Sequence, residues 1–168
     1  MVKNQKAHEF LKNQFKDREI KKTYNAIVSG WLKEDQGIIN KPIGRSPSDF
    51  RRHLAGRGAR GELREAITEY KVLKRFSAPI FKNFQKSTQS KFSFLEIHPK
   101  TGRTHQIRVH LKFLNHPVVC DSLYDPKGFC PKEISRLALH ARGIEFKNLE
   151  DKTVKVESPL PKEFKKFI

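Results

Sequence analysis

The side chains best able to handle charge are concentrated in one stretch, Lys100-Thr101-Gly102-Arg103-Thr104-His105-Gln106-Ile107-Arg108-Val109-His110-Leu111. A guanidinium is a fixed fork of donors, an amide both donates and accepts, and an imidazole does either. Set beside the start of a helix, whose first N–H groups lack internal partners, such groups make a site for an anion or a nucleobase. Other chemistries find less support. His98, His105 and His110 lie close in sequence, but no acidic or cysteine ligand stands at a spacing that would complete a metal site. Ser135, His140 and Asp121 could be drawn into a triad, yet nothing around Ser135 resembles a nucleophile elbow. Arg57-Gly58-Ala59-Arg60-Gly61 has glycines but no strand-to-helix context for a phosphate loop.

The elements that hold this stretch are read from punctuation. Ile107, Val109 and Leu111 alternate like a strand, whereas Ile107, Leu111 and Leu114 repeat like a helix. Thr104 as N-cap, Asn115 in a left-handed closing position and Pro117 beyond it decide for a helix of about three turns. Arg103, Gln106 and His110 then share a face, with Gly102 allowing a tight turn before it. A strand over Phe92–Ile97 precedes the helix. An amphipathic helix carries Ala7, Phe10, Leu11 and Phe15. Tyr24–Val28 alternates as a strand ending at Ser29-Gly30, and Gly37–Ile43 reads as its hairpin partner. Residues 44–64 hold Arg45, Arg51, Arg52, Arg57, Arg60 and Arg64 with no apolar period. They read as a long loop, either mobile and solvated or ordered on RNA through phosphate contacts. Strand alternation returns over Ala66–Phe76, and a turn region follows at Phe81–Phe84. One bent or two short strands lie around Arg142-Gly143, a last strand covers Val154 and Val156, and a short helix spans Pro161–Phe167. The pattern is α+β: a mixed, largely antiparallel twisted sheet flanked by a few helices, in one domain over residues 1–168.

Charge narrows the partner. Lys and Arg number 35 against 18 Asp and Glu, for a net charge of +17. A surplus of this size repels itself unless a polyanion offsets it, which favours nucleic acid over a merely solubilising surface or an anionic membrane. There is no run of apolar residues long enough to cross a membrane and no signal-peptide pattern at the start. Cys120 and Cys130 are expected to be ordinary thiols in a reducing, cytoplasmic setting. On these grounds alone the chain is an RNA- or DNA-binding domain.

Resemblance carries the reading further. Thr101–His110, followed by His116-Pro117, Asp121 and Tyr124, resembles the most recognisable block of the RluA-like RNA pseudouridine synthases. Lys22-Thr23-Tyr24-Asn25-Ala26 with Gly30 resembles that family's Lys-x-Tyr-x-Ala motif. Pro42-Ile43, Ala66–Tyr70, Arg136–Ala141 and Pro159-Leu160-Pro161 resemble its middle and closing segments, in order. The resemblance implies a pseudouridine synthase-like catalytic fold, with an activity that breaks the uridine glycosidic bond in ribosomal or transfer RNA and rejoins the base through carbon. It implies no cofactor and no metal. By position, Arg103 would pair with and orient the catalytic aspartate, and Tyr24 would stack on the target base. Without the resemblance Tyr24 would read as a core aromatic, and His140 reads as structural. Arg45, Arg51, Arg52, Arg57, Arg60, Thr101, His105, Gln106 and Arg108 are the candidate RNA contacts.

The chain departs from the family pattern in one respect that matters. The nucleophilic aspartate belongs to a His-Arg-Leu-Asp segment ahead of the first helix, and no Arg-Leu-Asp occurs in these 168 residues. Asp121 matches a different family position. The expectation is a partial catalytic domain, N-terminally truncated, inactive alone, and showing an unpaired sheet edge or bare apolar surface. The aspartate would come from a missing N-terminal segment, in cis or from another chain. The alternative is a non-catalytic RNA-binding remnant.

Overall fold

A computed structural model describes residues 4–82, 85–132 and 134–168, and for 78–82, 85–89 and 167 the backbone alone. The turn expected at Phe81–Phe84 falls partly outside the described residues, between strands that end at Lys82 and begin at Gln85. The chain runs α1 (Gln5–Lys16), β1 (Lys21–Ser29), β2 (Gln36–Asn40), β3 (Ile43–Arg45), β4 (His53–Ala55), β5 (Arg60–Arg64), β6 (Ile67–Lys82), β7 (Gln85–Pro99), α2 (Gln106–Phe113), β8 (Leu139–Lys147), β9 (Thr153–Glu157) and α3 (Lys162–Phe167).

Six strands form the main sheet in the order β2-β6-β7-β1-β8-β9, and every pairing among them is antiparallel. The α+β class holds. Residues 25–28 of β1 and 92–95 of β7 are buried without alternation, as expected for central strands covered on both faces. Ile27, Val28, Phe92, Leu95 and Ile97 there meet Ile107 and Leu111 of α2, Val118, Val119, Ile134 and Phe164 in one core cluster. β2 and β9 are the outer strands, and each leaves an apolar side chain, Ile38 or Val156, exposed.

Local chemistry explains the helices. Asn4 caps α1, its Oδ1 accepting from Ala7 N at 2.8 Å. Gln14 is buried on α1 because its amide replaces a missing sheet partner, donating to Lys147 O and accepting from Lys147 N. β8 is a single strand, bent where Thr23 and Tyr24 face Gly143 and Ala141 and Arg142 becomes the extra residue of a bulge.

Four expectations need correction. β2 pairs with β6, not with β1. The segment between β1 and β2 is tied elsewhere: Leu32 N donates to Ser93 Oγ, Val72 N to Asp35 O, and the Arg75 guanidinium to Leu32 O, Lys33 O and Asp35. These bonds carry the chain across β7 and β6 before β2 begins. Residues 44–64 are not a structureless loop but a second antiparallel sheet in the order β4-β3-β5. β5 lies close on Gly44 of β3, where an added Cβ would lie 2.8 Å from Leu63 Cδ2 and 3.0 Å from Arg60 O. α2 is shorter than expected, and its N-cap is His105 in the left-handed region (φ 54°), not Thr104. Gly102 has no positive φ, so the turn is made at His105, while Asn115 does close the helix at φ 61°. Cys120 and Cys130 form a disulfide, with Cα atoms 4.6 Å apart. The left-handed turn at Cys120 and the reverse turn at Asp125–Gly128 bring them together, which no sequence spacing reveals.

Candidate active site

Beside the C-terminal end of α1 and the start of β1 lies a cleft of about 370 Å³ lined by Phe15, Lys16, Arg18, Ile20, Lys22, Lys100, Thr101, Gly102 and Arg103. Five of these residues are cationic and none is acidic. Arg18 and Lys100 are partly neutralised by Glu65 and Glu69 at 2.8 and 2.7 Å. Lys22 has no ion-pair partner among the described residues, and burial lowers its ammonium pKa from the ordinary value. Its Nζ occupies the space above Gly102, 3.7 Å from where a Cβ would stand.

Arg103 is anchored without being consumed. Its Nε donates to Glu65 O at 2.9 Å, and its backbone N–H donates to Gln106 Oε1 at 2.9 Å. Both terminal amino groups are left without a partner among the described residues. The fork can therefore meet a carboxylate end-on, bidentately and in one orientation. Tyr24 stands two residues beyond Lys22 on β1, hence on the same side of the strand. Its half-buried ring packs against the main core, opposite Ile97 and Ala141. No hydrogen bond joins Tyr24 to Arg103 among the described residues.

The polar residues next to Arg103 hold it in place. Thr101 Oγ1 accepts from Ile67 N and donates to Gln106 Oε1 at 2.7 Å. Gln106 Nε2 donates to Ile67 O and Thr68 Oγ1, both at 3.0 Å. Thr68 donates in turn to His110 Nδ1 at 2.8 Å, and His110 Nε2–H donates to Lys41 O at 3.0 Å. Thr101, Gln106 and His110 are all buried. The face shared by Gln106 and His110 was legible in the sequence, but it meets β6 and not a ligand. Burial lowers the His110 pKa, which keeps the ring in this neutral tautomer.

Arg108 also turns inward. Its Nε and Nη2 bind Asp121 Oδ2 and Oδ1 at 2.8 and 2.7 Å, and its side chain is 16% exposed. Asp121 Oδ1 accepts two further bonds, from Leu123 N and Tyr124 N. Burial alone would raise the Asp121 pKa, but the guanidinium and these N–H groups outweigh it and hold the carboxyl below its usual range. The Arg108 guanidinium lies 4.8 Å from the Tyr124 ring centre. The Tyr124 hydroxyl accepts from His53 N at 3.0 Å and meets His105 Nδ1 at 3.1 Å, linking β4 to the start of α2. Burial, Arg108 and His53 lower the His105 pKa. The expected contact residues Thr101, Gln106 and Arg108 thus have internal partners, and His105 is half-buried beside Tyr124.

The arginines of the small sheet differ. Arg45 and Arg60 are exposed register partners on β3 and β5, and neither they nor Arg57 has a partner among the described residues. Arg51 is clamped on Asp49 through Nε and Nη2, which holds that carboxyl down at about 2. Arg52 Nε lies 3.6 Å from Asp49 Oδ2, too far for a hydrogen bond. Sequence reading assigned no role to Lys22, although its two-residue spacing from Tyr24 was a usable signal.

Comparison with known proteins gives the family. The family model described as RNA pseudouridylate synthase matches residues 1–113. An uncharacterized RNA pseudouridine synthase of Bacillus subtilis is 35% identical over 165 residues, covering 98% of this chain and 49% of that protein. Ribosomal large subunit pseudouridine synthase D of Borreliella burgdorferi is 34% identical over 167 residues, covering 99% of this chain and 46% of its own length. The chain thus spans about half the length of the curated relatives it matches. Among solved structures, human RNA pseudouridylate synthase domain containing 1 superposes with a TM-score of 0.76 at 27% identity, over 94% of this chain and 62% of that one. Shared sequence through the cleft-forming segments and a shared sheet place this chain in the RNA pseudouridylate synthase family.

Proposed function

We propose that the chain forms the arginine- and tyrosine-bearing side of an active site that isomerises uridine to pseudouridine in ribosomal or transfer RNA. The observation that carries this reading is Arg103: Nε anchored, terminal fork without a partner among the described residues, in a basic cleft with no acidic lining residue. Such a fork orients a carboxylate and keeps it ionised. An ionised aspartate held there assists departure of the uracil base from the ribose. The base then turns and returns through C5, which gives up its proton while N1 gains one. Substrate and product have the same atoms, so no redox cofactor enters the balance. Tyr24 offers the ring on which the extruded base stacks, and Arg45, Arg57 and Arg60, with Arg51 and Arg52, supply phosphate contacts around it.

The carboxylate itself is inferred to come from sequence outside these 168 residues, in the same polypeptide or another. Asp35, Asp49, Asp121, Asp125 and Asp151 are each paired with a cation elsewhere, and Asp17 closes α1. That same fact supports a second reading, a non-catalytic RNA-binding module. One experiment separates the two. The 168-residue chain is incubated with a uridine-containing ribosomal RNA fragment, alone and with a segment carrying the family's His-Arg-Leu-Asp sequence, and pseudouridine is read by carbodiimide-dependent primer extension. Product only in the presence of the segment, abolished by Arg103→Lys, supports the enzyme. Binding without product in both arms supports the module, and product from the chain alone overturns the inferred source of the carboxylate.

A further inference from the structure

Phe50 is 85% exposed, the most exposed large hydrophobic side chain among the described residues. It stands on a braced tip. In the turn between β3 and β4, Ser46 N donates to Arg52 O, Arg52 N to Asp49 O, Ser48 N to Ser46 Oγ and Arg51 N to Asp49 Oδ1, while the Arg51 guanidinium grips the same carboxylate. The backbone is therefore fixed from both sides of Phe50 while the ring touches little. Its surroundings are basic: Arg45, which ends β3 where the turn begins, is the register partner of Arg60 at the start of β5. Asp49, the one acid between residues 44 and 61, is already occupied.

We propose that Phe50 is a base-stacking residue, taking an unpaired nucleobase of the bound RNA while the surrounding arginines hold its phosphates. The proposal rests on the RNA reading given above and adds to it a specific contact with single-stranded RNA. An exposed aromatic face on a braced backbone, with Arg45 and Arg60 unpaired among the described residues, is what sequence-tolerant recognition of unpaired strands requires, since every base has a π-face. A membrane tip would need a wider apolar area than one ring flanked by serines and an aspartate.

The test measures affinity of Phe50→Ala and Phe50→Trp for a stem-loop RNA, a fully paired duplex of equal length and anionic phosphatidylserine vesicles. Because the ring is exposed, both variants should melt at the temperature of the unsubstituted protein. Expected is a loss of roughly 5- to 150-fold for Phe50→Ala on the stem-loop, corresponding to stacking of one base, with duplex affinity unchanged. Phe50→Trp should stay within about threefold, and in a Trp31→Phe background its fluorescence should be quenched by the stem-loop. Equal stem-loop binding by Phe50→Ala, an equal loss on duplex, or a loss confined to vesicles overturns the proposal. If the unsubstituted protein binds no RNA, the underlying reading fails instead.

Discussion

Replacing Asp121 by Asn keeps the side chain's shape and removes its charge. Asp121 accepts four hydrogen bonds, from Arg108 Nε, Arg108 Nη2, Leu123 N and Tyr124 N. If the Asn oxygen takes the place of Oδ1, three of the four acceptor contacts survive, and the amide NH₂ then faces Arg108 Nε donor to donor. A nearly buried guanidinium is left without its counter-charge. Removing one partner of a buried pair costs about 3–5 kcal/mol, and the partial exposure of Arg108 puts this case near the lower end, about 3 kcal/mol. For a chain of this size that is a fall in melting temperature of roughly 6–12 °C. Urea unfolding followed by circular dichroism reads it directly. The carboxyl's pKa is lower folded than unfolded, so its contribution is complete above the unfolded carboxylate pKa and is lost as pH falls through the folded value. The penalty of Asp121→Asn should thus be full at neutral pH and shrink only in strong acid. A double variant, Arg108→Met with Asp121→Asn, should recover much of the loss, because the uncompensated charge is gone while the Asn oxygen still accepts from Leu123 N and Tyr124 N. A penalty below about 1 kcal/mol at neutral pH, or a double variant worse than the sum of the singles, would refute this account of the pair.

Arg103→Lys should abolish isomerisation in the complemented system while moving stability by less than about 1 kcal/mol, since Nε makes its one internal side-chain bond to an exposed carbonyl; a large shift in melting would make it a structural residue. Gly44→Ala should destabilise by about 1–3 kcal/mol through the close approach to Leu63 and Arg60 and should weaken RNA binding with it, measured by melting and filter binding. Tyr124→Phe leaves the His53 N–H unpaired and should cost about 1–3 kcal/mol, with amide exchange accelerated at His53 before it changes in β1. His110 has a lower pKa folded than unfolded, so the stability it contributes is present above the unfolded imidazole value, about 6.5, and declines as pH falls below it. His110→Asn should flatten that part of the stability–pH curve, with His105, shifted in the same direction, accounting for what slope is left.

Elements with a strong local signature were legible. Amphipathic α1, the core runs of β1 and β7, and the left-handed stop at Asn115 all follow from residues adjacent in sequence. What failed to show was decided at long range. β2 looked like the hairpin partner of β1 because nothing local reveals that Arg75 fastens residues 32–35 to β6. The three-residue strands β3 and β4 are too short to display a period. The candidate site was half legible. Arg103 stood out as a cation beside a helix start, but Thr101, Gln106 and His110 are equally polar and serve as its frame, and Arg108 is taken up by Asp121. Sequence types them alike, and only burial separates a side chain that meets a ligand from one that braces its neighbour.

The position of β1 has a consequence for how the molecule is made. It precedes every other strand of these 168 residues, yet its neighbours are β7 and β8: Ala26 pairs with Leu95 on one side and Leu139 on the other. Each of these closures spans a long stretch of chain, so β1 has no local contact that rewards early ordering. The β6–β7 ribbon, whose strands adjoin, has that advantage and should form first during synthesis. Ala26, Ile27 and Val28 then wait, exposed, until both β7 and β8 have been made. The strand at the centre of the finished sheet is thus the last to be enclosed. In pulsed hydrogen exchange its amides should become protected only after those of the ribbon.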